Sequence, residues 1–211
     1  MHYLSNILWF PEVEEATEEG LLALGGDLSP KRLVLAYHSG IFPWYSAGDP
    51  ILWWSPDPRM VLFPSELKVS KSLQKTIKNE LFRVTYNTSF KEVITQCAQR
   101  KRKGQEGTWI TQEMLEAYCE LHALGHAISI EVWQDKQLVG GLYGVDLPDR
   151  KVFCGESMFS TRSDASKVGF CFLVDLLKEK GYELIDCQIH NDHLESLGAR
   201  EISRADFLTY L

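Results

Sequence analysis

The chain has 211 residues, a net charge of −7 and 45% hydrophobic residues. These values are typical of a globular protein with a full core, and no apolar run approaches the roughly 20 residues that span a bilayer. The N-terminus lacks the basic region of a signal peptide. The chain has five cysteines, an odd number, and they are widely scattered. This pattern argues against a disulfide framework and favours reduced thiols in the cytoplasm.

Positive charge is concentrated in one segment of the chain. Residues 59–103 carry eleven Lys and Arg against three Glu, a net charge of +8 that leaves −15 for the remainder. Such a segment is typical of a surface that contacts a polyanion, although a solvated surface paired with acidic neighbours has the same composition. The candidate nucleic-acid contacts are Lys71, Lys75, Lys78, Arg100, Lys101 and Arg102.

The first sixty residues are rich in Gly, Pro and Trp and predict one helix. Ser29 and Pro30 supply an N-cap and a first-turn proline, and Gly40 is placed to end the helix. The following segment, 41–59, contains four prolines and three tryptophans, a composition that predicts an ordered loop.

Three helices and a strand are predicted in the middle of the chain. Ser70 begins a basic amphipathic helix that reaches about residue 81, and a strand follows at 82–86. Ser89 and Glu92 form a capping box for a helix that reaches about residue 102. Thr111 caps the third helix.

After residue 126 the sequence pattern predicts strands instead of helices. Runs at 127–134, 138–147 and 151–159 predict three strands, and a long apolar helix, a strand at 183–189, a short helix, an extended piece and a helical turn follow. The order β-β-β-α-β-α-β predicts an α+β fold with a mixed, mostly antiparallel sheet flanked by helices. The same order occurs in GNAT-type N-acyltransferases, a fold-level analogy that names no substrate.

Three polar residues on two predicted strands are candidates for chemistry. Glu156 falls on the same strand face as Cys154 and Met158, and a carboxylate among apolar residues is unfavourable unless it is paired or used. Asp186 and Gln188 share a face of the next strand and need partners or a substrate. Purely structural roles are the alternatives. Glu156 would then be a strand-end residue capped by the following loop, and Asp186 and Gln188 would form a hydrogen-bonded pair.

Other motifs narrow the choice of ligand. Cys154, Cys187, His190 and His193 lack the close spacing of a zinc site, so no metal is expected. Trp44 and Trp109 lie in loops near the basic segment and could stack on nucleobases. Gly140, Gly141 and Gly144 predict a bulge or a close backbone approach. No Gly-rich pyrophosphate loop precedes the helix after residue 163, which disfavours coenzyme A, and no cofactor is expected.

Several long strings resemble one family in order and over nearly the whole chain. They are EGLLALGGDLSPKRLVLAYHSGIFPWY, PILWWSPDPR, GTWI, LVGGLYGV, FCGESMFS, DASK, LIDCQIHNDH and SLGAREISRADFLTYL. Together they resemble the leucyl/phenylalanyl-tRNA–protein transferases. The resemblance implies a small N-terminal domain, residues 1–60, and a GNAT-like catalytic domain, residues 61–211. We also expect a monomer that contacts no membrane.

The resemblance also implies substrates and residue roles. The donor would be Leu-tRNA or Phe-tRNA, with some Met transfer, and the acceptors would be proteins with N-terminal Arg or Lys, which are thereby marked for N-degron proteolysis. Trp44 and Trp109 would seat the 3′-terminal adenosine. Glu156, Asp186 and Gln188 would form the polar reaction centre. The pocket for the donor side chain would be lined by Leu142, Phe153, Met158, Phe170, Leu173 and Ile185.

The donor ester is already activated, so the reaction needs a neutral amine, correct positioning and oxyanion stabilisation. One hypothesis is that Gln188, polarised by a hydrogen bond to Asp186, orients the amine or accepts a hydrogen bond from it, while Glu156 holds the amine or the donor ammonium group. A proton shuttle through the tRNA ribose competes with it. An acyl-CoA N-acetyltransferase and a non-catalytic tRNA-binding module are the alternative functions.

Overall fold

A computed structural model of the protein describes residues 2–100 and 108–211. Its strands are β1 (His2–Leu4), β2 (Leu21–Gly25), β3 (Phe42–Pro43), β4 (Leu52–Trp54), β5 (Arg59–Leu62), β6 (Arg83–Tyr86), β7 (Ala127–Gln134), β8 (Gln137–Leu147), β9 (Val152–Ser160), β10 (Leu184–Gln188) and β11 (Arg200–Ile202). Its α-helices are α1 (Pro30–His38), α2 (Lys71–Lys78), α3 (Phe90–Gln99), α4 (Gln112–Ala123), α5 (Ala165–Glu179), α6 (Asp192–Ser196) and α7 (Arg204–Leu208). Across these ranges, the helices are too short or too polar to cross a membrane.

The N-terminal part contains a small sheet with the strand order β1-β2-β4-β3. Helix α1 has Pro30 in its first turn, and Gly40 follows the helix with a φ of +73°, as predicted. The predicted cap by Ser29 is wrong, because its side chain makes no cap hydrogen bond. The prediction of a loop over 41–59 is wrong in part, because this segment contributes β3 and β4. Two- and three-residue strands are too short to show alternation, and Trp53, fully buried, anchors β4 by donating to the Gly25 carbonyl at 2.8 Å.

The larger sheet has seven strands in the order β11-β5-β10-β9-β8-β7-β6. All of its neighbouring pairs are antiparallel except β9 and β10, which are parallel and joined by α5. This arrangement confirms the predicted α+β fold and its mixed, mostly antiparallel sheet. Strand β5 crosses the proposed domain boundary between residues 60 and 61, and the division into two domains stays a prediction.

Helices cover both faces of the large sheet. On one face, α3 and α4 bury Val93, Met114 and Tyr118 in a cluster that continues into the small N-terminal sheet. On the other face, α5 buries Leu173 and Val174 in a second cluster. The site described below lies where the strands between these two layers separate.

The N-terminus of α3 is held by a residue far away in the sequence. The predicted capping box is wrong, because the Ser89 side chain makes no cap hydrogen bond. Instead, the fully buried carboxylate of Glu131 on β7 accepts from the backbone N–H of Ser89 at 3.2 Å and of Thr88 at 3.3 Å. A carboxylate at this position also interacts favourably with the helix dipole.

A bulge between β8 and β9 changes which residues share a face. The register of the two strands shifts between Tyr143 and Gly144, as the glycines predicted. Beyond the shift, Met158 packs in the α5 layer, whereas Cys154 packs in the α3–α4 layer. The prediction that Glu156 shares a face with both residues is therefore correct for Cys154 and wrong for Met158, because strict alternation ends at a bulge.

We expect Gly144→Ala to lower the free energy of unfolding by about 1–3 kcal/mol, the usual range for overpacking. A Cβ at this position would overlap the Cys154 carbonyl oxygen and the Phe153 ring, so β8 and β9 would have to move apart. Urea unfolding measures the change. Gly155→Ala, on the paired strand β9, is the control, because a Cβ there would meet only the Asp186 carbonyl oxygen, at an ordinary contact distance of 3.5 Å. An equal loss in both variants would contradict a packing cause.

Candidate active site

A cavity of about 430 Å³ opens where β9 and β10 separate. The two strands pair over three residues each, ending with Asp186 opposite Cys154. Beyond this point β9 continues along β8, while β10 bends at a register shift against β5. Because parallel strands that separate leave space between their carboxyl ends, this edge of the sheet forms a natural binding site.

The structure brings nearly all the predicted substrate-binding residues to this cavity. The lining includes Trp44, Trp109, Leu142, Phe153, Met158, Phe170 and Ile185, together with Glu156, Asp186 and Gln188. Leu173 is fully buried in the same hydrophobic cluster as Phe170 but is absent from the lining. One wall is therefore apolar and another carries three polar side chains, and Leu173 supports the apolar wall from behind. The roles of these residues stay predictions.

Glu156 is the centre of the polar wall. Its Oε1 accepts from the hydroxyl of Tyr37 and from the amide Nε2 of Gln188, both at 2.8 Å, and its Oε2 accepts from the hydroxyl of Tyr118 at 3.1 Å. The two tyrosine oxygens are also within hydrogen-bonding distance of each other, so their two hydroxyl hydrogens are shared among these contacts. Three donors therefore fix the orientation of this carboxylate toward the cavity.

Burial changes the acid–base properties of this cluster. It raises the pKa of Glu156 from its ordinary 4.5 to about 7, and the nearby Asp186 charge acts in the same direction, whereas the hydrogen bonds from Tyr37, Tyr118 and Gln188 oppose the shift. Burial, followed by the charge of Glu156, raises the pKa of both tyrosines well above 10. The tyrosines therefore stay protonated donors, while Glu156 gains or loses a proton near neutral pH.

Asp186 and Gln188 are linked differently from the sequence hypothesis. The Gln188 side chain donates to Glu156, and it is the Gln188 backbone N–H that donates to Asp186 Oδ1 at 2.9 Å. Asp186 is fully buried and receives two hydrogen bonds from Arg59, at 2.8 and 2.7 Å. The polarisation of the Gln188 amide by Asp186 is therefore wrong, because the peptide backbone makes that contact.

Sequence reasoning missed three residues of the site. Tyr37 lies on α1 and Tyr118 on α4, more than 80 positions apart, and no local pattern indicated that their hydroxyls meet at Glu156. Arg59 was counted with the basic segment, yet it is buried against Asp186. The unpaired acid at Asp186 was the available signal, since a buried carboxylate requires a cation or several donors.

The predicted nucleic-acid contacts fall into two groups. Lys71, Lys75 and Lys78 are all exposed on α2, whose N-terminus is capped by the Ser70 side chain as predicted. Arg100 follows α3 directly, and the helix ends at Gln99, before the predicted residue 102. Lys101 and Arg102 lie outside the described residues. The role of these side chains in binding RNA stays a prediction.

The cysteines and histidines singled out in the sequence occupy different environments. Cys154 is buried in the α3–α4 layer, and Cys187 packs against the α5 layer and borders the cavity. Burial raises the pKa of both thiols, so neither is a thiolate at neutral pH. His190 is exposed and lies 3.5 Å from a carboxylate oxygen of Glu195.

Comparison with known proteins assigns the chain to a family. Residues 61–211 match the family model described as leucyl/phenylalanyl-tRNA protein transferase, and residues 26–57 match the model of the N-terminal domain of the same proteins. The chain belongs to the leucyl/phenylalanyl-tRNA–protein transferase family. It is therefore an aminoacyltransferase.

Several curated relatives with the same description match this chain over most or all of their length. The leucyl/phenylalanyl-tRNA–protein transferase of Flavobacterium johnsoniae is 62% identical over 100% of this chain and 99% of that protein. Its counterpart in Christiangramia forsetii is 56% identical over 100% of both chains. The one in Pseudomonas aeruginosa is 57% identical over 96% of this chain and 89% of the relative.

The solved structures that match this chain are much less similar to it in sequence than these relatives are. A GCN5-related N-acetyltransferase from Kribbella flavida matches with a TM-score of 0.42 and 10% identity, over 81% of this chain and 60% of that chain. The structure of L-PGS from Bacillus licheniformis matches with a TM-score of 0.44 and 12% identity, over 80% of this chain and 53% of that chain.

Proposed function

We propose that this enzyme moves Leu or Phe from aminoacyl-tRNA to the N-terminal Arg or Lys of acceptor proteins, acting as a monomer in the cytoplasm, and thereby marks them for N-degron proteolysis. The observation that carries the proposal is the cavity, which is lined by apolar side chains, by the hydrogen-bonded Glu156–Gln188 pair and by both Trp44 and Trp109. An aminoacyl ester has the matching parts, an apolar side chain, an ester and an adenosine.

The apolar wall accounts for the choice of donor. Leu142, Phe153 and Ile185 are at most 3% exposed and offer no hydrogen-bonding side chain, so a leucine or phenylalanine side chain enters favourably. Discrimination between similar apolar groups is limited to about 1–3 kcal/mol. Methionine is therefore a slower third donor.

The polar wall accounts for the chemistry. The acceptor amine attacks the ester carbonyl carbon, an amide bond forms, the C–O bond to the ribose breaks, and the proton of the amine ends on the ribose hydroxyl. An N-terminal amine has a pKa near 8, and a carboxylate with a pKa of about 7 is a suitable acceptor for its proton. Glu156 takes that proton and returns it to the leaving group, and Gln188 orients the carboxylate.

The deciding experiment incubates the enzyme with Leu-tRNA and a peptide with N-terminal Arg, and reads the peptide mass. A gain of one leucine residue is expected, with Phe-tRNA also active and Val-tRNA much less so. The same peptide with an acetylated N-terminus is the control for attack by the amine. No mass gain with either Leu-tRNA or Phe-tRNA would overturn the proposal.

We expect neutralisation of Lys71, Lys75 and Lys78 to Gln to weaken tRNA binding and to reduce its salt dependence. Each phosphate contact that is lost lowers the slope of log K against log salt by about 0.7–0.9, so the triple variant loses up to about 2–3 in slope. Fluorescence anisotropy with labelled tRNA at several salt concentrations measures it.

A control variant carries the same charge change elsewhere. Lys31, Lys136 and Lys178 are exposed and lie outside the basic segment, and their replacement by Gln changes the net charge equally. An identical slope change in both triple variants would show a general charge effect, and an unchanged slope in the α2 variant would place the tRNA on another surface.

A further inference from the structure

Arg59 is a fully buried cation behind the polar wall of the cavity. Its Nε and Nη2 donate to the two oxygens of Asp186, and its Nη1 donates to the Gly40 carbonyl at 3.2 Å. The guanidinium carbon lies 4.8 Å from the centre of the Phe42 ring and 4.6 Å from that of Phe207. Because a planar fork meets two oxygens between two aromatic faces, the guanidinium has one orientation.

The next contact runs from Asp186 to the backbone of Gln188. Asp186 Oδ1 accepts from the Gln188 N–H as well as from Arg59. Gln188 has a φ of +65°, in the left-handed region that residues with a Cβ adopt only when the surroundings hold them there. The sheet register also shifts between these two residues. The Asp186 carboxylate, itself fixed by Arg59, therefore holds an unfavourable backbone conformation.

This backbone conformation decides where the Gln188 side chain points. Its amide Nε2 reaches Glu156 Oε1 at 2.8 Å. We propose that Arg59 is a positioning residue for the transfer reaction, acting through Asp186 to fix Gln188 in the conformation from which its amide orients Glu156. Arg59 is absent from the cavity lining, so it acts through other residues. The inference rests on the proposed function, because it assigns Arg59 a role in that reaction.

A structural role alone is the competing explanation for a buried Arg–Asp pair. Such pairs often contribute little net stability, yet removal of one partner destabilises the fold strongly. The experiment therefore has to separate lost folding from lost positioning. Arg59→Lys keeps the positive charge but replaces the fork by a point charge.

The matched control is Arg32→Lys. Arg32 is also 1% exposed, and it donates to Asp27 and to the backbone carbonyls of Ser5, Ile7 and Trp9, none of which lines the cavity. For Arg59→Lys we expect kcat to fall by about 10–100-fold with KM for Leu-tRNA changed by less than about threefold, since displaced supporting residues slow chemistry. Arg32→Lys keeps the wild-type kcat.

A double-mutant cycle tests the route through Gln188. If Arg59 acts through Gln188, Arg59→Lys lowers kcat by less than about threefold in a Gln188→Ala background, because the positioned group is already missing. A purely structural role gives the same factor in both backgrounds. That outcome, or a wild-type kcat in Arg59→Lys, overturns the inference.

A titration of Glu156 supplies a readout that needs no activity. The Gln188 hydrogen bond lowers the pKa of Glu156, so loss of that hydrogen bond moves the titration midpoint upward. Carbon-13 NMR of Glu-labelled protein, assigned by the Glu156→Gln variant, is expected to show this rise in Arg59→Lys and not in Arg32→Lys. An unchanged midpoint in Arg59→Lys overturns the inference.

Two further outcomes keep the inference and the proposed function apart. If the wild-type enzyme transfers no amino acid, the proposed function fails, while the NMR titration still tests the positioning of Glu156. If Arg59→Lys does not fold, Phe207→Leu removes one aromatic face and leaves the ion pair, and a smaller fall in kcat with the same upward titration shift is expected. Wild-type values for both quantities in folded Phe207→Leu overturn the inference.

Discussion

Replacement of Glu156 by Gln is expected to lower kcat for leucine transfer by at least about 100-fold, the usual contribution of a general base. A glutamine keeps the size of the side chain and can still accept from Tyr37 and Gln188, but it cannot take the proton of the attacking amine. In the wild-type enzyme, kcat/KM is expected to rise with pH through about 7, where Glu156 ionises. The Gln variant should lose that limb and keep the one from the amine near pH 8.

The same variant should differ in stability in a way that depends on pH. The pKa of Glu156 is raised from 4.5 to about 7 in the folded protein, so ionisation over this range favours the unfolded chain. Wild-type stability is therefore expected to fall relative to Glu156→Gln as the pH rises from about 4.5 to above 7, by up to about 3 kcal/mol. Urea unfolding at pH 5 and pH 8 measures the difference.

Controls identify the cause of both effects. Tyr37→Phe removes one donor and leaves the carboxylate, so it should shift the kinetic midpoint upward and retain most of the activity. A pH-independent difference between wild-type and Glu156→Gln stability would contradict the raised pKa. Wild-type turnover in Glu156→Gln would transfer the proton-accepting role to the tRNA ribose.

Replacement of Glu131 by Gln is expected to lower the free energy of unfolding by about 3 kcal/mol, because charged hydrogen bonds are lost and buried donors remain unpaired. The carboxylate is fully buried and accepts from the hydroxyls of Thr85 and Thr88 at 2.6 and 2.7 Å and from that of Ser129 at 2.6 Å. A glutamine replaces one acceptor oxygen by an NH₂ donor, and the backbone N–H groups of Thr88 and Ser89 cannot accept from it.

Urea unfolding measures the change, and an unaltered slope m checks that unfolding stays two-state in the variant. Glu183→Gln, at an exposed position, is the matched control and should change stability by less than about 0.5 kcal/mol. A loss below about 1 kcal/mol in Glu131→Gln would contradict the description of Glu131 as the residue that holds α3 at its N-terminus.

Local patterns predicted most of the elements and failed at particular places. The long runs that became β7, β8 and β9 and the caps at Ser70 and Thr111 were predicted correctly, because alternation and capping depend on neighbouring residues. The small strands β3 and β4 were missed, since their pairing partners lie at least ten positions away. The cap of α3 was misassigned for the same reason, because Glu131 is supplied from another strand.

In the candidate site, too, local features could be predicted and contacts between distant residues could not. Its polar residues, Glu156, Asp186 and Gln188, could be selected from the sequence because polar side chains interrupt apolar strands. Their partners could not be selected, since Tyr37, Tyr118 and Arg59 come from separate elements that only the packed structure brings together. The register shifts on β9 at Glu156 and on β10 between Asp186 and Gln188 also break the two-residue period on which face assignments depend.

The fold class, the concentration of positive charge and, through the motifs, the family can be predicted from the amino-acid sequence alone. These depend on composition, on local periodicity and on long unusual strings, which are properties of the chain before it folds. Two properties of the site arise only in the folded chain: burial raises the pKa of Glu156 to about 7, and Asp186 pairs with Arg59 rather than with the side-chain amide of Gln188. Both depend on burial and on distances between residues that are far apart in the chain, and a local sequence pattern contains no information about such distances.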